Sequence, residues 1–194
     1  ESYWAVPSGE QTAVNGHWVK GPGIEFINII KGWFGTIEII AEDLGILTDD
    51  VRQLLKQSGF PGMKVLEFAF DESGNSDYLP HKYERNCVCY TGTHDNATLM
   101  EWKSDGDAKE ISFAKEYFGI GTDDNFNFGI IRGGMASVAD LFMAQMQDYL
   151  ELDGQARTNI PGIPDGNWEW KMKNGLKPEL ADKIAKMTIM SGRS

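Results

Sequence analysis

Apolar and polar positions alternate with two different periods along the chain. Isoleucines at positions 24, 27 and 30 follow Pro22 with helical spacing and predict a helix over 23–35. Thr48 as N-cap and Gly59 as C-terminal stop predict the next helix, "DDVRQLLKQSG". Further helical segments are predicted around 97–103, 107–118 and 126–135. Short apolar segments predict strands at 36–42, 63–70 and 86–92 and within 141–147.

Short strands that alternate with helices of ordinary length indicate a parallel sheet in an α/β protein. In the first predicted strand, Ile37, Ile39 and Ile40 are expected to be largely buried. Ligands of such sheets bind at the carboxyl ends of the strands, so polar residues that directly follow a strand are candidates for a functional site.

Acidic side chains follow two of the predicted strands. Glu42 and Asp43 end the first in "IIAEDLG", and His94, Asp95 and Asn96 follow the third in "GTHDN". Several carboxylates beside amides suit glycosidic-bond chemistry, in which one carboxyl protonates the leaving oxygen and others stabilise an oxocarbenium-like transition state. Two plainer interpretations stay open: the first pair begins a solvated loop, and Asp95 caps the following helix.

Length and charge exclude several classes of partner. The chain has 194 residues, 41% of them apolar, which suits one domain or part of a larger one. A formal net charge of −11 disfavours nucleic acid. No apolar run approaches the roughly 18 residues that cross a membrane, and the N-terminus lacks signal-peptide features, so a cytoplasmic location is expected. Cys87 and Cys89 lack metal or redox spacing and are predicted to be reduced packing residues.

Six tryptophans are many for this length, and sugar rings stack their C–H faces on indoles. Most tryptophans are core residues, so the number alone is weak support. The segment "NIPGIPDGNWEW" (159–170) differs, because a loop rich in Gly, Pro and Asn presents two indoles. We interpret it as a shaped binding surface, the alternative being a structured loop packed on the domain.

Several segments, in order and over most of the chain, resemble the 4-α-glucanotransferases, the amylomaltase or disproportionating-enzyme family. They are "YWAVPSGEQTAVNGHWVKGPG" (3–23), "IIAEDLG" (39–45), "FPGMKVLEFAFD" (60–71), "YLPHKY" (78–83), "GTHDN" (92–96) and "RTNIPGIPDGNWEWK" (157–171). The resemblance implies a TIM barrel that transfers α-1,4-glucan segments between maltooligosaccharides. The implied mechanism is retaining, through a covalent glycosyl-enzyme, and needs no metal or organic cofactor.

The resemblance also implies roles for individual residues. Glu42 would be the general acid/base, and Asp95 the carboxylate that stabilises the transition state. Residues expected to bind sugar are Asp43, His94, Asn96, Asp71 and Asn159. The C-terminal segment departs from the family pattern at Thr158, Ile163 and Lys171, where methionine, threonine and arginine are usual. These departures affect the expectation for Asn159 more than those for Glu42 and Asp95.

The family's nucleophilic aspartate belongs to a motif that would end just before Glu1. Since a complete barrel takes about 250 residues, residues 1–194 are expected to form the C-terminal half of a (β/α)8 barrel, with about four parallel strands. Such a half is expected to be inactive alone, and either to self-associate through its open strand edges or to be disordered near its first residues. Two alternatives are an α-amylase-type hydrolase, which transfers to water, and a non-catalytic glucan-binding module.

Overall fold

The chain begins with an antiparallel hairpin that the sequence patterns did not predict. In the computed structural model, which describes residues 1–45, 47–173 and 175–193, β1 (Ser2–Ala5) pairs with β2 (His17–Lys20). The rings of Trp4 and Trp18 meet edge to face with centroids 5.3 Å apart. Only glycine fits at position 16, because a Cβ there would lie 2.2 Å from Trp4 Nε1.

Two predicted helices follow the hairpin. Helix α1 (Ile24–Phe34) and helix α2 (Asp49–Ser58) agree with the periodicity. Thr48 Oγ1 accepts from the Val51 N–H at 3.4 Å, and Gly59 ends α2 with φ 66°, as the capping pattern predicts. The Lys31 ammonium donates to the Ser58 carbonyl and lies 5.0 Å from the centroid of the Phe60 ring. These elements belong to the first of two units, residues 1–63 and 64–194.

The predicted strand at 36–42 is wrong. The backbone there is irregular, with the Ala41 N–H donating to the Pro61 carbonyl at 2.9 Å. Ile37 and Ile40 are 49% and 39% exposed, against the expectation of burial. An apolar segment becomes a strand only where a neighbour accepts its backbone hydrogen bonds and covers its side chains. Among the described residues, no strand pairs with this segment.

A three-stranded sheet follows. Its strands are β3 (Gly62–Val65), β4 (Cys87–Tyr90) and β5 (Leu141–Met143), in the order β3-β4-β5. The division between the two units falls within β3. β4 and β5 are parallel, with Cys89 opposite Phe142, as an α/β protein requires. β3 is shorter than the predicted 63–70, because the chain turns into a 3-10 helix at Leu66–Phe68. In the described ranges this sheet has three short strands, where about four parallel strands were expected.

Five α-helices complete the described part of the second unit. They are α3 (Leu99–Asp105), α4 (Ala108–Phe118), α5 (Phe126–Met135), α6 (Met146–Tyr149) and α7 (Pro178–Met190). The first three match the predicted segments, whereas α6 and α7 were not predicted. None of the helices in the described ranges is long and apolar enough to span a membrane.

The core of the second unit is rich in aromatic residues. Phe70 is 1% exposed and packs against four rings, those of Trp102, Phe113, Tyr117 and Phe118. Cys87 and Cys89 are buried and reduced, which agrees with their prediction as packing residues. Burial raises the pKa of the Cys89 thiol to about 12, so this thiol stays protonated and unreactive at neutral pH.

Candidate functional site

Two loop segments of the second unit bring Asp95 and Asn159 into contact, although the residues are 64 positions apart. Asn159 Nδ2 donates to Asp95 Oδ1 at 2.5 Å. His94 Nε2 lies 3.4 Å from the same oxygen, and the His94 and Asp95 side chains are each 48% exposed. Three residues that the resemblance implied thus share one solvent-accessible surface.

Trp168 extends this surface. Its ring centroid lies 4.8 Å from that of His94 with a 39° tilt, and the residue is 65% exposed. Its backbone is left-handed at φ 62°, and its N–H donates to the Thr158 carbonyl at 2.7 Å. Non-glycine residues seldom adopt this conformation, and they concentrate at functional sites. An accessible indole beside a carboxylate and an amide is a surface that can hold a sugar ring.

Asn167 fixes the loop that carries Trp168. Its Oδ1 accepts from the Ile160 N–H at 2.8 Å, and its Nδ2 donates to the Ile163 carbonyl at 2.7 Å. Asparagine commonly stabilises irregular backbone in this way. The loop interpretation of 159–170 therefore has a physical basis, although the sequence analysis did not single out Asn167.

Arg157 joins the two loop segments. Its Nη2 donates to the Asp95 carbonyl at 2.7 Å, and its Nε donates to the Asn159 carbonyl at 3.0 Å. Its Nη1 lies 3.4 Å from Glu101 Oε1, and these two side chains are about a fifth exposed. Glu101 also closes a capping box with Thr98 at the start of α3. Arg157 was not predicted as a site residue, because a lone arginine in a loop carries no spacing signal.

Two further acids lie close to this network. Glu67 Oε1 is buried and has no hydrogen-bond partner among the described residues, and a Cβ at Gly92 would lie 2.6 Å from it. Burial, with a smaller effect of the nearby Asp148, raises the pKa of Glu67 well above its usual range. Burial likewise raises the pKa of Asp148 to about 6. The sequence analysis did not select either acid, since burial by distant segments leaves no local pattern.

The first unit carries the other acidic pair. Glu42 is exposed on the irregular segment at 36–45. Asp43 is 8% exposed, and its Oδ1 accepts from the Met63 N–H at 2.6 Å. Gly62 permits this contact, because a Cβ there would lie 2.7 Å from Asp43 Oδ2. Asp43 therefore anchors the segment that presents Glu42, and its proposed contact with sugar stays a prediction.

Comparison with known proteins decides the family. The family model described as 4-alpha-glucanotransferase matches residues 1–177. The chain belongs to the 4-alpha-glucanotransferase family. It is 48% identical to the 4-alpha-glucanotransferase of Clostridium butyricum over 195 aligned positions, which cover 100% of this chain and 40% of that enzyme. It is 40% identical to the Thermus thermophilus 4-alpha-glucanotransferase, again covering 100% of the chain and 40% of the relative.

A solved structure agrees with this family assignment. The amylomaltase from Streptococcus agalactiae, determined in complex with acarbose, superposes with a TM-score of 0.93 at 34% identity. The superposition covers 100% of this chain and 39% of the amylomaltase chain. The α/β fold is thus that of an amylomaltase, and the chain spans about two fifths of the length of the relatives it matches.

Two other residues expected from the 4-alpha-glucanotransferase resemblance lie outside the Asp95 contact cluster. Asn96 Oδ1 accepts from the N–H and hydroxyl of Thr93, at 2.9 and 2.7 Å. Asp71 is exposed and accepts from the Ser73 N–H at 3.0 Å. The partners of Asn96 and Asp71 point to turn formation, so their binding of sugar stays a prediction.

Proposed function

We propose that this chain forms the C-terminal part of the catalytic barrel of a 4-α-glucanotransferase, which transfers α-1,4-glucan segments between maltooligosaccharides in the cytoplasm. The observation that carries the proposal is the contact cluster of His94, Asp95, Asn159 and Trp168 in a chain of this family. A carboxylate and an amide hold sugar hydroxyls, while the indole stacks on the ring.

Glu42 and Asp95 carry the chemistry in this proposal. Glu42 protonates the departing glycosidic oxygen and later takes a proton from the acceptor hydroxyl. Asp95 stabilises the positive charge that develops on the sugar ring. A retaining reaction also requires a carboxylate nucleophile, which the remaining part of the full-length enzyme provides. The reaction uses no metal or organic cofactor.

The exposed apolar surface of α1 is evidence that this chain is part of a larger barrel. Phe26, Ile29 and Trp33 form one helical stripe and are 54%, 59% and 83% exposed. On another face, Ile24, Ile27 and Ile30 are half-buried. A helix that is apolar on more than one face belongs to the interior of a larger protein. In the full-length enzyme, the N-terminal part of the barrel would cover this stripe and pair with the segment at 36–42.

Glucan is the substrate class that fits this surface. The amylomaltase from Streptococcus agalactiae was solved with acarbose bound. By similarity, we expect maltooligosaccharides to bind across Asp95 and Asn159 in this protein. Without the rest of the barrel, the isolated chain would self-associate through its open strand edges and apolar surface.

Glu42→Gln in the full-length enzyme tests the acid/base assignment. We expect loss of transfer from maltotriose by at least about 100-fold, with substrate binding largely retained, because the amide keeps the shape of the side chain but cannot act as a general acid or base. Maltosyl fluoride is a donor whose leaving group, the fluoride ion, departs without protonation. With this donor, formation of the glycosyl-enzyme intermediate should be partly restored. The measurements are the rate of transfer from maltotriose and the rate of fluoride release from the fluoride donor.

Glu38→Gln is the matched control, since Glu38 is an exposed glutamate on the same segment, and it should leave both rates unchanged. Equal losses with maltotriose and with the fluoride would contradict the role of Glu42. Products of the wild-type enzyme separate the alternatives: longer and shorter maltooligosaccharides indicate transfer, glucose and maltose alone indicate hydrolysis, and no product indicates a binding module.

A further inference from the structure

Arg157 contacts the backbone of both residues that form the proposed sugar-binding pair. One guanidinium nitrogen donates to the carbonyl of Asp95 at 2.7 Å, and a second donates to the carbonyl of Asn159 at 3.0 Å. The side chains of the same two residues meet at 2.5 Å. Arg157 therefore bonds to the main chain of Asp95 and not to its carboxylate. It fixes the two main-chain positions that carry the Asp95 and Asn159 side chains.

We infer that Arg157 is a positioning residue for this site, because its bonds to the two carbonyls set the Asn159 Nδ2 to Asp95 Oδ1 contact and thereby the direction of the Asp95 carboxylate. The inference rests on the proposed function for its kinetic consequence, though its geometric consequence is independent of activity. Arg157 itself has no contact with the carboxylate and takes no part in bond making.

Glu101 gives the guanidinium a fixed orientation. Its Oε1 lies 3.4 Å from Arg157 Nη1, and its Oε2 accepts from the Thr98 N–H at 3.4 Å. Glu101 lies in the first turn of α3, and the bond to the Thr98 N–H fixes its carboxylate at the start of that helix. A planar guanidinium can direct separate N–H groups at three acceptors, whereas an ammonium on a flexible chain cannot hold the same fork. The geometry therefore requires arginine at position 157.

The expected effect follows from the sensitivity of catalysis to position. A displacement of about 1 Å at a reacting group can cost roughly 100-fold in rate. Since Asp95 acts on the charge that develops in the transition state, its misplacement should reduce kcat more than it raises KM.

The experiment compares Arg157→Ala and Arg157→Lys in the full-length enzyme. We expect kcat for maltotriose to fall about 100-fold in the alanine variant and about 10-fold or more in the lysine variant, with KM changing less than about 3-fold. Arg85→Ala is the matched control, because Arg85 is an exposed arginine of the same unit whose ion-pair partner is Asp140. It should leave kcat and KM unchanged.

A double-mutant cycle with Asn159→Ala separates positioning from a general loss of stability. If Arg157 acts through the Asn159–Asp95 contact, the Asn159→Ala penalty should largely disappear in the Arg157→Ala background. A crystal structure of the Arg157→Ala variant should show Asn159 Nδ2 and Asp95 Oδ1 beyond hydrogen-bond distance. Both results would support the inference.

Three results would overturn the inference: an Arg157→Ala enzyme with lowered Tm but wild-type kcat, multiplicative effects of the two substitutions, or an intact Asn159–Asp95 contact in the variant crystal. Failure of the proposed function would look different, because the wild-type enzyme would then transfer no glucan. In that case the crystal structure of the variant would still decide the role of Arg157.

Discussion

Asp148 shows how a single buried acid can link several elements. Its side chain is fully buried. Its two oxygens accept from Thr91 Oγ1 at 2.6 Å, directly after β4, and from the Leu99 N–H at 2.8 Å, at the start of α3. Burial raises the pKa of Asp148 to about 6, and these hydrogen bonds oppose the rise. Loss of its proton near neutral pH therefore places a charge inside the second unit.

The sign of the pH effect on stability follows from this pKa. The folded value, about 6, exceeds the ordinary value of 3.8, so the folded state binds the proton more tightly than the unfolded state. The resulting stabilisation is fully present below about pH 4 and is lost as the pH rises through 6. A shift of this size corresponds to a free energy on the order of 3 kcal/mol.

We therefore expect Asp148→Asn to remove this pH dependence from the full-length enzyme. The stability of the wild type relative to the variant should decrease steadily between pH 4 and pH 7, as measured by Tm at several pH values. Asp140→Asn is the control, because Asp140 is exposed, and its Tm difference from wild type should stay nearly constant. A constant difference for Asp148→Asn as well would refute the titration of Asp148 in this range.

At the scale of elements, local signals predicted α1 to α5 but not α6 or α7, and they failed for structures made by distant partners. Helix α2 begins after Thr48 and ends before Gly59, as predicted, because capping depends on residues within one turn of the helix end. The segment at 36–42 has strand composition but no described neighbouring strand. The connection between β1 and β2, residues 6–16, is longer than the two to about five residues of an ordinary hairpin loop, so the pairing of these strands was not predicted.

The same distinction applies to the candidate site. The resemblance located His94, Asp95 and Asn159, and the structure brings these three together. Arg157 and Glu67 were missed, because their roles arise from contacts and burial that long-range folding creates. Sequence alone therefore identified the exposed polar groups of the site and not the groups beneath them.

The capping box of α3 makes a testable contribution to stability. The Glu101 N–H donates to Thr98 Oγ1 at 3.2 Å, and Thr98 is fully buried. Thr98→Ala would leave this N–H unpaired, so we expect a loss of about 1–2 kcal/mol in urea denaturation. Because Glu101 also orients Arg157, the same variant should lose transfer activity.

The cap of α2 is the natural comparison. Thr48 is exposed, and its bond to the Val51 N–H is longer, at 3.4 Å. Thr48→Ala should therefore cost less than Thr98→Ala and leave transfer unchanged, while Thr98→Ser should behave like the wild type. An equal cost at both caps would show that burial of the box adds nothing.

Across the whole molecule, apolar residues are unevenly buried. Every buried apolar side chain in the described ranges lies between Met63 and Ala156. In residues 1–62, large apolar side chains stay exposed, including Trp18 at 69% and Trp33 at 83%. Exposed apolar surface of this extent marks an interface. The chain spans 40% of the length of its Clostridium butyricum relative, and under the proposed function the rest of the full-length enzyme would cover this surface.

The isolated chain of residues 1–194 should therefore self-associate, most simply as a two-fold dimer. Its sedimentation coefficient should rise with concentration in the micromolar range. Replacing Ile29 and Trp33 by glutamine should weaken this association, because it removes the most exposed part of the α1 stripe. Glu25→Gln, on the same helix and already polar, is the control and should have no effect. Under the proposed function, the chain should also fail to disproportionate maltotriose, because the nucleophile would come from the remaining part of the full-length enzyme. Sedimentation as a compact monomer at all concentrations would contradict the association, and robust transfer by the purified chain would show that the nucleophile lies within it.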